Sequence, residues 1–355
     1  MLRFIRTTAL CSAALLAFTA CGSDEQAADT TSAPAAAEET TPSVAETNAP
    51  VTDAVDTTVP VDTTAPVDTT AAPDTTAVGG AVSVEAANGT VSLDAPATKI
   101  VSIAPTHTET LFAIGAGAQL IAVDDQSNYP ADVEALPRDL SGYTPNVEAI
   151  AGYEPDLVVM SDDFNNLIPQ LTDLGITVWS GPAATTLDDV YTQIEQLGVL
   201  TDHVGDAAEL VGRMQTDIET IVAEVPEAEV PLTYYHELDN TYFSVGSDSF
   251  IGQLYSLAGL ANIADEADPG NPYPQLNAEY LITADPQLIF LADVKCCGES
   301  IATVSARDGW AEISAVKNNH VIELDDDIAS RWGPRVVDYM RVIVESVKAA
   351  AVPAG

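Results

Sequence analysis

From Lys99 the chain runs through an apolar block, KIVSIAP, into HTETLFAI, where apolar positions fall at helical spacing. The block predicts a buried strand. The second stretch predicts a helix that opens on Thr106, with Glu109 at capping-box spacing, and closes at Gly115. The alternation continues as strand LIAVDD, helix PNVEAIAG, strand DLVVMS, helix NNLIPQLTDLG, strand TVWSG and helix TLDDVYTQIEQLG. Strands alternating with helices imply a parallel α/β sheet. Upstream, VSVEAANGTVSLD sets Asn88 and Gly89 between alternating apolar positions, a hairpin signal. Residues 202–225 contain no proline and keep apolar residues at helical spacing. They predict a helix roughly 35 Å long, enough for a strut between lobes. Beyond it the alternation restarts with strand LTYYHEL, hairpin NTYFSVG, helices SFIGQLYSLAGL and NAEYLITA, and strand QLIFLA. Helix ATVSARDGWAEI, strand HVIEL and a final helix from about Pro334 to Ala350 complete it.

Two stretches share a plan: EAIAGYEPDLVVM from Glu148 and EYLITADPQLIFL from Glu279. In each, a Glu stands seven residues before a Pro, the Pro follows an acid, and a Leu two residues on opens an apolar run. A helix ends near the residue before proline and the chain leaves extended, so each copy predicts helix, stop, buried strand. Two copies are too few for a solenoid. They predict a two-lobed protein of α/β class: a first lobe over 82–201, the strut over 202–225 and a second lobe over 230–352.

Composition adds a compartment. Arg3 and Arg6 precede the apolar run ALCSAALLAF, and TAC ends at Cys21. Residues 1–20 are too short and wrongly flanked for a membrane span and predict a signal peptide. A small-residue site directly before Cys resembles the bacterial lipobox, with Cys21 as the lipidated first residue. Residues 21–80 continue as repeats of VDTT and TAP without Lys or Arg after the Cys. They carry too little apolar bulk for a core and predict a disordered tether, open to O-glycosylation. The net charge of −42, from 12 basic and 54 acidic side chains, excludes the basic footprint of nucleic-acid binding and suits a solubilising coat. Outside the leader and Cys21, the cysteines are the adjacent Cys296 and Cys297. They are two thiols or a strained vicinal disulfide, and an oxidising exterior makes the disulfide the expectation.

The segments KIVSIAPTHTETLFAIGAG, DDQSNYP, NVEAIAGYEPDLVV, YPQLNAEYLITADPQLIFL, GWAEISAVKNNHVIELDDD and ASRWGPRVVDYM stand in a familiar order and spacing. Over about 98–350 the chain resembles the periplasmic-binding-protein family that serves ABC importers of vitamin B12, ferric siderophores and haem. The resemblance implies two Rossmann-like α/β lobes joined by one long helix, with the ligand cleft between them. It also implies one surface Glu per lobe offered to permease arginines, at Glu148 and Glu279. A Glu early in a helix also favours the helix dipole. The matched offset in both lobes favours docking.

Loops at the carboxyl ends of parallel strands line such clefts. The candidates are Thr106, His107, Asp125, Gln126 and Tyr143 in the first lobe, and His236, Glu237, Tyr273, Arg331 and Trp332 in the second. Tyr143 and Tyr273 fall where the B12-binding relative places Trp, so their rings could stack on a flat ligand. His107 and His236 are either ordinary packed side chains, the favoured reading, or ligands to the iron or cobalt of a bound chelate. Arg331 is an anion clamp or an ion-pair partner of Asp325–Asp327, with the clamp favoured. The expected function is a lipid-anchored solute-binding protein, without cofactor or covalent chemistry, that delivers a cobalamin-like or iron-chelate ligand to ABC permease subunits. The competing readings are an extracellular hydrolase, for which no GxSxG or HExxH motif speaks, and a binder of bare metal ions.

Overall fold

The computed structural model describes residues 80–351. The expected signal peptide, Cys21 and nearly all of the expected tether lie outside the described residues.

The hairpin forms as read: β1 (Val82–Ala86) and β2 (Gly89–Leu93) pair antiparallel, and Gly89 takes a φ of 100° in the turn. Two parallel sheets follow. The first contains β3 (Ile100–Ser102), β4 (Leu120–Val123), β5 (Leu157–Met160) and β6 (Thr177–Ser180), in the order β4-β3-β5-β6. The second contains β7 (Thr233–Glu237), β8 (Ala261–Asn262), β9 (Leu288–Leu291) and β10 (Val321–Glu323), in the order β8-β7-β9-β10. Both sheets thus put their second strand at an edge, then the first, third and fourth. The chain is a two-lobed α/β protein.

The repeated stretches occupy equivalent places. Glu148 lies in helix Val147–Ala151 before β5, and Glu279 in helix Ala278–Ala284 before β9. Asn146 and Asn277 cap these helices by accepting the Ala149 and Tyr280 N–H groups. The acid before each proline is left-handed, Glu154 at φ 51° and Asp285 at φ 46°. The residue after each proline pins the start of the neighbouring strand. Asp156 accepts the Thr98 and Lys99 N–H groups ahead of β3, and the Gln287 side chain accepts the Thr233 N–H of β7.

Both strands are buried on both faces, which is why they read as unbroken apolar runs rather than alternation. Leu157 and Val159 of β5, and Leu288 and Phe290 of β9, join one apolar cluster shared by the two lobes. Val158 and Met160 pack on the outer side of the first sheet, and Ile289 and Leu291 on the outer side of the second. The shared cluster is completed by helix Val204–Val222, which buries Ala207, Leu210, Val211, Met214, Ile218 and Ile221 at helical spacing. The last helix, Val336–Ala351, adds Val336, Met340, Ile343, Val344 and Val347.

Some elements differ from the expectation. The strut is shorter than 202–225, because Asp202 turns the chain at φ 62° and His203 stands as its N-cap. The segment read as one helix over ATVSARDGWAEI breaks into Ile301–Ser305 and a turn at Trp310–Glu312, with Gly309 at φ 81° between them, and a further short helix, Ser314–Lys317, follows it. NTYFSVG forms no hairpin of its own; Phe243 instead bridges to Gln275.

Candidate ligand cleft

The carboxyl ends of β3, β4 and β5 open towards the segment that follows β10. There they enclose a recess of about 230 Å³. Ala104, Pro105 and Thr106 come from the β3 loop, Gln126 from the β4 loop, and Tyr143 and Ser161 from the same side. Asp327, Ser330, Arg331 and Trp332 close it from the second lobe. Of the residues expected in the cleft, Thr106, Gln126, Tyr143, Arg331 and Trp332 are brought together here. Tyr143 is 72% exposed, so its ring is open to a partner.

The wall between the lobes is electrostatic. Helix Pro105–Ala113 starts with proline at its first turn and has no side-chain cap at Ala104. Glu109 is therefore not half of a capping box. It is 3% exposed and receives Arg331 Nη1 at 2.6 Å, Arg335 Nε at 2.7 Å and Arg335 Nη2 at 2.5 Å. Arg331 also donates to Asn128 Oδ1 at 2.9 Å, Asp327 Oδ1 at 2.8 Å and the Gln126 carbonyl at 3.2 Å. The Arg335 guanidinium lies 4.3 Å from the Tyr129 ring centroid. Trp332 Nε1 donates across the lobes to Gln193 Oε1 at 3.0 Å. Gly333 lets the backbones close up, since a Cβ there would sit 3.2 Å from the Thr106 carbonyl oxygen.

This arrangement corrects the anion-clamp expectation for Arg331. Its terminal nitrogens are committed to four protein acceptors, so the ion-pair alternative with the Asp325–Asp327 run describes it, extended across the lobes to Glu109. Sequence reasoning missed Glu109 and Arg335 as an inter-lobe pair. The available signal was Arg331 and Arg335 four residues apart in a chain with 12 basic side chains.

Other candidates fall elsewhere. His107 is buried, and its Nε2 donates to the Gly181 carbonyl at 2.6 Å. Its ring meets Trp179 edge-on at 4.8 Å. Burial pushes its pKa down to about 4 against the opposing Gly181 bond, so the neutral packed reading holds. His236 is fully buried with Nδ1 2.8 Å from the Tyr255 hydroxyl, and burial lowers it to about 3. The two histidines occupy separate hydrogen-bond sites and do not form a ligand pair. Glu237 is also fully buried, with Arg307 donating to both its oxygens at 2.6 Å, and so is corrected from a cleft residue to a core ion pair. Asp125 is exposed beside the recess and accepts the Gly142 N–H, which lowers its pKa. Tyr273 is 51% exposed but does not line this recess.

Cys296 and Cys297 are exposed free thiols with Sγ atoms 2.6 Å apart, not the expected disulfide. They share the helical turn Val294–Cys297. Consecutive Cα atoms stand about 3.8 Å apart, short of the roughly 4.4–6.8 Å that a relaxed bridge spans.

The profile of the periplasmic binding protein family matches residues 100–328. The chain belongs to this family. The vitamin B12-binding protein of Vibrio cholerae is 31% identical over 263 residues, covering 72% of this chain and 91% of that one. The uncharacterized ABC transporter substrate-binding lipoprotein YvrC of Bacillus subtilis is 28% identical over 271 residues, or 74% and 84% of the two chains. Among solved structures, the periplasmic vitamin B12 binding protein of Vibrio cholerae matches with TM-score 0.59 at 29% identity, over 72% of this chain and 98% of that one. This periplasmic binding protein is accordingly a solute-binding protein of the kind that serves ABC importers.

Breaking the inter-lobe pair leaves two guanidinium groups in a poorly solvated site, which typically costs about 3–5 kcal/mol. Glu109→Ala should lose that much unfolding free energy in urea. A loss below about 1 kcal/mol, the ceiling of an ordinary surface pair, would show that the cluster is not structural.

Proposed function

We propose that this protein captures a cobalamin-like ligand, or an iron chelate of similar size and flatness, and presents it to the permease of an ABC importer. The observation that carries this is the 31% identity to a vitamin B12-binding protein over 91% of its length. The open Tyr143 ring at the recess supports it. Sites that enclose a small molecule hold about 300–1,000 Å³, so the 230 Å³ recess accommodates one side group of such a ligand. The macrocycle itself rests at the open mouth. Tyr143 supplies a stacking face there, with Tyr273 as a candidate second ring and Thr106, Asp125 and Gln126 as the polar contacts. In the recess Arg331 acts as a fixed wall.

Titration of the protein with cyanocobalamin, haemin and a ferric hydroxamate tests this reading. Saturable 1:1 binding of one of the three is expected, weakened about tenfold in Tyr143→Ala, which corresponds to about 1.4 kcal/mol of lost stacking. Failure of all three probes to bind removes the ligand class.

The two lobes carry exposed Glu148 and Glu279 at equivalent positions, one per helix N-terminus. In this reading each accepts a charge-assisted bond from a permease arginine, and the two together grip bivalently. Replacing both with Ala should abolish transport and permease capture while leaving the affinity for the bound probe within about twofold of the parent. Transport that survives the double change rules the pair out as docking acids.

The chain would be tethered by a lipid on Cys21, with residues 21–80 as the spacer and lobes at 82–201 and 230–352 about the 202–225 segment. Cys21→Ala should move the protein from the membrane fraction to the soluble one. Continued membrane attachment of that variant would reject the anchor.

A further inference from the structure

Asp293 follows β9 at its carboxyl end and is fully buried, yet neither of its carboxylate oxygens has a hydrogen-bond partner. Buried polar groups are almost always paired, so such a group calls for an explanation. Its surroundings deepen the question. Glu237, at the end of β7, is fully buried, and Glu299 is mostly buried. Among the described residues the one cation bonded to these acids is Arg307, which is spent on both oxygens of Glu237 and on Glu299 at 3.0 Å. It also lies 4.6 Å over the Trp310 ring. Tyr235, also on β7, donates to Glu237 at 3.2 Å. From the β10 side, Glu323 is occupied by the Ile301 N–H.

Two carboxylates therefore take up the one guanidinium, and Asp293 is left without a partner in a site with little water. Full ionisation would leave a surplus of negative charge that burial penalises heavily. A proton or a metal ion could neutralise it. Among the described residues no group of three His, Cys, Asp or Glu side chains is arranged to hold a metal, which leaves the proton. Burial first, then the Glu237 and Glu299 charges, push the Asp293 carboxyl up to about 7.

The residue is also mechanically placed. It stands at the N-cap of the turn Val294–Cys297, and its carbonyl accepts the Cys297 N–H. The N–H groups of Val294, Lys295 and Cys296 all donate to the Asp326 carboxylate. Lys295 Nζ bonds Asp325 at 2.6 Å and Asp327 at 2.9 Å. Asp327 in turn accepts from Arg331 and from Asn128 of the first lobe.

We propose that Asp293 is a proton-operated latch: protonated, it seats the Val294–Cys297 turn on Asp326 and holds the Arg331 clasp, and ionised, it loosens both. The latch does not rest on the solute-binding reading. The sign follows from linkage. The folded value lies above the ordinary carboxyl value of 3.8, so the latched state binds the extra proton. Opening then becomes easier as pH rises from about 4 to about 7 and levels off above that.

Amide hydrogen exchange of the ligand-free full chain tests this, with rates corrected for intrinsic base catalysis. Between pH 5 and 7, protection of residues 294–297 should fall up to about tenfold per pH unit, the limit for one proton, and residues 325–331 should follow with the same midpoint. Asp293→Asn should remain protected throughout, with a flat profile. Glu299→Gln should move the plateau to lower pH by removing a repelling charge. A flat profile in the parent, an Asp293→Asn variant that still follows the parent's pH profile or is unprotected at every pH, an unshifted plateau in Glu299→Gln, or a response at 294–297 that 325–331 does not share would each overturn the latch. Because no ligand is present, failure of the cobalamin reading would leave this result unchanged.

Discussion

The way the lobes meet depends on one carboxylate. Glu109 lies on the first helix of the first lobe, and the two guanidinium groups that bind it come from the last helical region of the second. A buried ion pair is poor evidence of net stabilisation, since desolvation offsets much of the Coulombic gain. Its geometric consequence is firmer. Arg331 holds four acceptors from three segments at once, Glu109, the loop of Gln126 and Asn128, and Asp327, so the two walls of the recess are set relative to one another before any ligand arrives. Behind this clasp, helix Val204–Val222 and the last helix build an apolar cluster common to both sheets. Lobes sharing a core and a buried ionic clasp have less freedom than lobes joined by a bare linker.

The strongly acidic composition shapes how the cations are used. In a chain with 12 basic and 54 acidic side chains a basic residue is scarce, and scarcity alone favours Arg331 as a clamp for an anionic ligand. Scarcity acts the other way once acids are buried. Glu109 and Glu237 sit in the interior, where a charged side chain is costly unless it is paired. Arg307, Arg331 and Arg335 are the partners. At the recess, Arg331 is therefore already paired with Glu109 and Asp327.

What the sequence made legible was what its local pattern enforces. The central strands are buried on both faces and announce themselves as apolar runs, and proline stops marked where helices end. The two-lobed plan followed from the pattern at Glu148 and Glu279 and from the family resemblance. Long-range pairing was not legible. Glu109 had a local explanation, capping-box spacing with Thr106, and no local signal points to residues more than 220 positions away. The rule that ligands gather at strand carboxyl ends gave the direction of the cleft but not depth. It selected Thr106 and Gln126, which line the recess, and it also selected His236 and Glu237, which stand at the same kind of strand end but beneath the surface. Depth depends on what packs above a strand, here the Arg307 segment, and that is a tertiary fact.

The repeated stretch separates structural from surplus features. Non-glycine residues at positive φ are uncommon and strained, yet Glu154 and Asp285 both adopt it immediately before proline, where each helix must turn into a strand. The next residue ties down the neighbouring strand in both lobes, through a carboxylate at Asp156 and an amide at Gln287. The following Leu enters the common core in both. Helix cap, turn, tie and core residue thus each have a folding reason that applies twice. The exposed carboxylates of Glu148 and Glu279 have only the weak attraction of helices of five and seven residues. Folding explains why the two lobes share a frame around these acids, but it does not require acids at those positions.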